Sequence, residues 1–441
     1  MTDARTLAVA LADAFLADGD WRRPALADRG GWVLGVRRRW LVPVADAVLT
    51  AYPRRPSDRP RELAAFVAGL EPLRDAVRRA PAPIVIRSRP VVATRTVAHR
   101  WRTPVVDDLG ALANLLGLTI EHLDWYADRR ALNRRADDPR LHHYRYRWAG
   151  TRLIEAPKPR LRDLQRRLLA EVLGRIPVHD AAHGFVPSRS ALTFAAAHCG
   201  QSIVVRVDLL AFFATITAAR VYGLLRTAGY PEPVAHALTG LCTIRTPANI
   251  LRLAPHHLVE RPARIAVLRA GHLPQGAPTS PALANLCAFR LDRRLSGLAG
   301  AFGLTYRRYA DDLAFSGDLA RQRVADLLAG VGTVVRDEGF RVHPTKTRVR
   351  GRGDRQLLAG LVVNEQPAVP RDEYDRLRAI LHNAARTGLA AQNRAGHPAF
   401  ADYLAGRVAW VGQGSPHRAA KLATLLEAAL GVTGTRAGPG D

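Results

Sequence analysis

Along the first 80 residues, apolar side chains recur at helical spacing. Leu7, Ala10, Leu11 and Phe15 form one block, and Leu63, Phe66, Val67 and Leu70 another. That period predicts amphipathic helices, separated at Pro53 and the PSDRP stretch. Between 84 and 101 the pattern changes to alternating basic and β-branched residues, IVIRSRPVVATRTVAHRW, which predicts an exposed basic strand or arm. Helical spacing returns over 107–135. Asp107 or Asp108 is placed to cap the first block, Gly117 to end it, and Thr119 to cap the second. Strand signals follow in YRYRWAGTRLIEAP. Pro157 and Pro159 then interrupt, and Leu161 to Leu173 reads as a basic amphipathic helix.

The second half carries shorter, more apolar strands. A turn at Pro187-Ser188 precedes a helix, and Ile203 to Val207 predicts a buried strand that stops at Asp208. In LPQGAPTSPALANL a Pro-Gly-rich loop leads into a helix starting near Pro281, with Ser280 as its N-cap. Leu304 to Tyr309 and Leu313 to Ser316 form a hairpin candidate whose tip holds Asp311 and Asp312. Beyond it come a helix (Leu319 to Asp337), a strand (Phe340 to His343), the loop PTKTRVRGRG and a hairpin in QLLAGLVVNEQ. From Asp372 the chain is helical, with Tyr374, Leu377 and Leu381 on one face. The Gly-rich tail after Gly431 is expected to be disordered.

Charge narrows the partners. The 441 residues hold 65 basic and 39 acidic side chains, a net +26, and an excess of that size favours a polyanion, nucleic acid first. Arg outnumbers Lys almost completely; Lys158, Lys346 and Lys421 are the only lysines. In a chain so rich in Ala, Gly and Pro, that preference reflects coding bias and carries no functional information. Cys199, Cys242 and Cys287 have no CxxC spacing, so neither a disulfide framework nor a zinc site is expected, and a reducing cytosol fits. The N-terminus lacks the basic start of a signal peptide, and no apolar run reaches the ~18 residues of a membrane span. A cytoplasmic protein without membrane contact is expected.

Three carboxylates carry the chemistry. Asp208 ends a buried strand, where an unpaired charge is costly. Asp311 and Asp312 repel each other at a hairpin tip. A palm-like sheet brings a strand end beside a hairpin tip, and two Mg²⁺ ions held there would bridge the attacking and leaving oxygens of an in-line phosphoryl transfer. Mg²⁺ needs few carboxylates, because water and phosphate oxygens complete its shell.

The order of motifs resembles that of reverse transcriptases, and among them the bacterial retron-type enzymes. VDLLAFFATI resembles the motif with the first metal-binding Asp, LPQGAPTSPALANL the template- and nucleotide-contacting loop and helix, and YADDLAFSG the metal-binding hairpin. FRVHPTKTRV resembles the Lys-bearing motif, QLLAGLVVN the primer grip, and RLIEAPKPRLRDLQRRLL the fingers. The resemblance covers roughly residues 107–425. It implies an α/β (α+β) right-hand polymerase with fingers, an RRM-like palm sheet and a helical thumb, plus an N-terminal helical extension. The expected boundaries are 1–105 for the extension, 106–365 for fingers and palm, 366–430 for the thumb and 431–441 for the tail.

The resemblance also implies roles. Asp208, Leu209, Asp311 and Asp312 form the metal set, and Lys346 stands near the leaving pyrophosphate as acid or phosphate contact. Phe213 sits under the sugar and excludes a 2′-hydroxyl. Gln275 and Gly276 line the nucleotide pocket, and Arg152 reaches the triphosphate. Tyr309, Gly360 and His198 serve primer or RNA. The implied reaction is RNA-directed DNA synthesis with two Mg²⁺ ions and dNTPs. The template and primer are a structured non-coding RNA, the product a branched RNA–DNA, the setting antiviral defence in a bacterium, with an effector protein as a further partner.

Two elements depart from the retron pattern. Phe194-Ala195-Ala196-Ala197-His198 replaces Asn-Ala-x-x-His, and Leu358-Ala359-Gly360 replaces Val-Thr-Gly. Both bear on the RNA partner rather than on polymerisation. Competing readings are another bacterial reverse transcriptase, of the abortive-infection or diversity-generating kind, and a non-catalytic RNA-binding scaffold.

Overall fold

The computed structural model describes residues 4–17, 19–88 and 101–434, and it mixes helix and sheet. The chain falls into two compact units, Met1–Pro177 with Ile216–Leu283, and Val178–Thr215 with Ala284–Asp441.

The first unit opens with five helices, Ala4–Leu16, Arg23–Leu34, Leu41–Ala51, Pro60–Gly69 and Glu71–Arg79. Their apolar stripes close on one core that includes Leu7, Leu11, Phe15, Leu26, Val48, Leu63 and Val67, as the spacing predicts. Of the expected basic strand, Ile84 and Ile86 pack on this core, whereas residues 89–100 lie outside the described residues. The helices Leu109–Leu116 and Ile120–Ala127 have the expected caps. Asp108 accepts from the Ala111 amide, Gly117 is left-handed, and Thr119 accepts from the His122 amide.

Strands β1 (Tyr144–Ala149) and β2 (Arg152–Pro157) pair antiparallel. The basic helix Pro159–Glu171 follows, buried along Leu161, Leu164 and Leu168. The helices Ala218–Thr227 and Glu232–Cys242 complete this side of the unit and hold the N-terminal helices in place. Glu232, buried, accepts from the amides of Arg61 (2.5 Å) and Glu62 (2.9 Å) in the first turn of Pro60–Gly69. That is a helix N-terminus capped from another helix. The Asp58 carbonyl accepts from the Glu232 amide (3.0 Å), and Arg226 pairs with the Asp58 carboxylate at 2.5 Å. Burial pushes the Glu232 carboxyl above its ordinary range, against the two amides that favour its charged form.

The second unit is built on an antiparallel sheet in the order β4-β5-β3-β6: β3 Ile203–Asp208, β4 Thr305–Tyr309, β5 Asp312–Gly317 and β6 Arg348–Gly351. In register, Asp208 faces Asp312 across β3 and β5, and Tyr309 faces Asp312 across the hairpin. Two expectations are corrected here. Phe340 to His343 makes only a single bridge, Val342 to Leu209, and Pro344 ends the run. The edge strand lies instead in Arg348–Gly351, which reads as loop because its charged residues alternate with Val349 and Gly351. That is how an exposed edge strand is written.

β7 (Leu357–Leu358) and β8 (Leu361–Val362) form the expected small hairpin, with Ala359 and Gly360 both at positive φ. The helices Arg371–Thr387, Phe400–Gly414 and Pro416–Gly434 pack around Tyr374, Leu377, Leu381, Leu404, Val411 and Leu422. The last helix runs to Gly434, past the expected break at Gly431, while 435–441 lie outside the described residues. No helix among the described residues is long and apolar enough to cross a membrane.

Candidate active site

In the second unit, the apolar strand β3 carries Asp208 to its end, where the side chain is nearly buried. The β4–β5 hairpin turns at Ala310, whose φ of 54° is left-handed, and delivers Asp311 and Asp312 alongside. Backbone hydrogen bonds stitch the segments together. The Leu209 amide donates to the Asp311 carbonyl at 2.9 Å, the His343 amide to the Asp208 carbonyl at 2.7 Å, and the Leu210 amide to the Arg341 carbonyl at 2.8 Å. Residues 103 apart in sequence thus meet at one sheet end.

Each carboxylate has its own electrostatic setting. Lys346 Nζ lies 3.2 Å from both oxygens of Asp208. Asp312 is gripped by Arg206, Nε at 2.8 Å from one oxygen and Nη2 at 2.9 Å from the other. Burial raises the Asp312 carboxyl above its usual range; Arg206 opposes the rise, and the charges of Asp311 and Asp208 add to it. Among the described residues, no group of three or more His, Cys, Asp and Glu side chains is gathered to hold a metal by itself. The donors are oxygen only, they repel one another, and one already faces an ammonium. That chemistry fits a hard divalent cation whose shell is finished by water and phosphate, with Asp208 and Asp311 as its carboxylates and Asp312 drawn to Arg206.

Aromatic residues line this end. Phe212 is core, with its ring centroid 5.6 Å from that of Phe340. Phe213 is half-buried beside it, 5.6 Å from Phe212 and 6.2 Å from Phe185. Phe185 carries no signal in the sequence. It is 52% exposed, has a positive φ, and lies 6.5 Å from Tyr309. An exposed Phe between two site aromatics gives no periodic signal.

His198 is corrected from an RNA contact to a core residue. It is fully buried, Nδ1 2.7 Å from Ser316 Oγ and its ring T-shaped against Phe194. Burial drives its pKa down to about 3, with the Arg307 and His183 charges adding. The folded ring therefore stays neutral where the unfolded one, near pH 6.5, gains a proton. Stability present above pH 6.5 is lost as pH falls toward 3. Between pH 7.5 and 5, urea melts are expected to lose about 2 kcal/mol more for the wild type than for His198→Gln. Gly360 lies in the small hairpin turn.

In the first unit, Arg152 is exposed at the start of β2. The Glu155 amide donates to the Gln275 carbonyl at 2.8 Å, so the loop before the Ser280–Cys287 helix lies along β2. Ser280 is the first residue of that helix, and its hydroxyl donates to the Pro274 carbonyl at 2.7 Å, tying the loop back. Gly276 has φ 127°, and a Cβ there would sit 3.2 Å from the Glu155 carbonyl oxygen. Gly276→Ala is expected to cost about 1–3 kcal/mol in a urea melt, from backbone strain and this contact together. Glu155 itself is buried between Thr246 Oγ1 (2.7 Å) and His272 Nε2 (2.9 Å).

A strand-end Asp, paired with a Lys, thus stands beside an Asp-bearing hairpin. The family described as reverse transcriptase (RNA-dependent DNA polymerase) matches residues 147–358. The retron Mx65 reverse transcriptase of Myxococcus xanthus is 42% identical over 332 residues, 73% of this chain and 71% of that one. The retron Mx162 reverse transcriptase of the same organism is 44% identical over 299 residues, 63% of this chain and 59% of its own length. The retron Ec86 reverse transcriptase of Escherichia coli is 31% identical over 233 residues, 53% and 65% of the two chains. This chain belongs to the retron reverse transcriptases, a family of RNA-directed DNA polymerases.

Proposed function

We propose that the chain copies a structured non-coding RNA into DNA by two-metal nucleotidyl transfer, as a right-hand polymerase. In this reading the first unit supplies the fingers and the second the palm sheet and helical thumb. The observation that carries it is the juxtaposition of Asp208 with Asp311 across β3 and the hairpin turn, held by the Leu209 amide. Bound Mg²⁺ would lower the pKa of the primer hydroxyl and neutralise charge on the transferring phosphate. Asp208 and Asp311 would hold it, with the Leu209 segment alongside. Asp312 fixes Arg206 and with it the strand end. Lys346, half-exposed on a loop 3.2 Å from Asp208, is placed to meet the leaving pyrophosphate. Phe213 offers a flat apolar wall to the sugar, and Tyr309 packs against the primer end. Gln275, Gly276 and Arg152 are the nucleotide contacts of the first unit, and Gly360 belongs to the primer grip.

The retron reading extends to the partner and the product: priming from a 2′-hydroxyl of the RNA, a branched RNA–DNA, an effector protein and bacterial antiviral defence in the cytoplasm. The basic surplus of the chain supports an RNA partner. The test is to incubate the full chain and its copurifying RNA with labelled dNTPs and Mg²⁺, then treat the product with a 2′-5′ debranching enzyme. Label in a product that shortens on debranching is expected. No incorporation sinks the polymerase, and label that debranching leaves unchanged sinks the retron priming.

A further inference from the structure

Arg308, immediately before Tyr309, is fully buried, and so is its partner Asp292 on the helix Phe289–Ala301. Nε and Nη2 of Arg308 donate to the two oxygens of Asp292 at 2.8 and 2.7 Å, and Tyr306 Oη donates to the same carboxylate at 2.9 Å. The other arm of the guanidinium leaves the pair. Nη1 donates to Asn285 Oδ1 and to the Ala310 carbonyl oxygen, both at 3.0 Å. Asn285 in turn donates to the Gly184 carbonyl at 2.8 Å. A Cβ at Gly184 would lie 2.6 Å from the Ala310 nitrogen, so this backbone presses directly on the turn. The guanidinium also faces the Phe212 ring, 5.5 Å from its centroid.

A buried ion pair is weak as a source of stability, because desolvation offsets most of its attraction. Its geometry points elsewhere. Ala310 holds a left-handed conformation that an L-residue adopts at a cost of about 1–2 kcal/mol. Its carbonyl belongs to the peptide plane that enters Asp311, and that plane is rigid. The plane leaving Asp311 is held by the Leu209 amide on the Asp311 carbonyl. Fixing both planes fixes the Cα–Cβ direction of Asp311.

We propose that Arg308 is a positioning residue that, with Asp292 and Asn285, locks the Ala310–Asp311 peptide and so aims the Asp311 carboxylate at the metal position. The inference rests on the reading of Asp208 and Asp311 as metal ligands.

The test uses the full chain. Arg308→Lys keeps a charge beside Asp292 but loses the fork. The double variant Arg308→Met with Asp292→Asn removes both buried charges together and leaves an acceptor for Tyr306, so that it folds even where the single variant does not. Mn²⁺ binding is read by electron paramagnetic resonance, beside thermal melts and the kcat and dNTP KM of primer extension. Folded variants are expected to bind Mn²⁺ about tenfold more weakly, and to lose kcat by about tenfold or more with KM for dNTP little changed. Wild-type Mn²⁺ affinity and kcat in variants that melt as folded proteins overturn the proposal, even if the melting temperature falls. Asp311→Asn separates the two levels. If the wild type binds Mn²⁺ no better than Asp311→Asn, the ligand reading itself fails and this inference with it.

Discussion

Asp311→Asn is expected to lower DNA synthesis on a primed RNA template by at least about 10³-fold, the scale of removing a key electrostatic contact to a transition state. RNA affinity should stay within about twofold, with the same salt slope, because phosphate contacts from basic side chains elsewhere set it. The melting temperature should hold or rise at neutral pH. The Asp311 charge disfavours ionised Asp312, whose carboxyl is already raised by burial. A carboxyl raised in the folded state contributes stability that is lost as pH rises through its folded pKa, and removing a neighbouring negative charge reduces that loss. A site that gains stability when it loses activity is arranged for a ligand rather than for the fold. Equal nucleotide incorporation by both proteins would sink the mechanism.

Phe213→Ala is expected to admit ribonucleotides. The ratio of kcat/KM for a dNTP over the matching NTP should fall by about 10- to 100-fold, the cost of forcing extra atoms into a packed contact. The ring belongs to the second residue of the short helix Phe212–Thr215 and is flanked by the buried Phe212 and by Phe185, which limits its room to move aside. Truncation leaves Phe212 and Phe340 in the core, so the fold should survive. Single-turnover incorporation of dCTP and CTP opposite a template G reads the ratio, and an unchanged ratio would remove Phe213 from the sugar pocket.

Much of this site is legible in the sequence because its chemistry is written in short, local patterns. The apolar run into Asp208 and the acidic turn after Tyr309 each predict their own strand ends, and the caps at Asp108, Gly117 and Thr119 predict theirs. Long-range polar pairs have no such signature. Nothing in sequence links Arg206 to Asp312, or Arg308 to Asp292 and Asn285, since a buried Arg and a solvated one look alike in an Arg-rich chain. His198 is ambiguous in sequence for the same reason. The sequence identifies a titratable ring but not the core that surrounds it. The edge strand β6 is hidden in sequence because charge on an exposed edge masks the period that marks a buried strand.

The contact between Glu232 and the Pro60–Gly69 helix has a consequence for where the polymerase begins. A cut near residue 105, which motif matching alone would recommend, takes away the amides of Arg61 and Glu62 and the Asp58 carboxylate. Glu232 would then lose both amide donors and Arg226 its carboxylate partner, which destabilises the shortened chain. A shortened chain that starts near residue 105 is therefore expected to melt at a lower temperature than the full chain, because these contacts tie the helix Pro60–Gly69 to the helices Ala218–Thr227 and Glu232–Cys242.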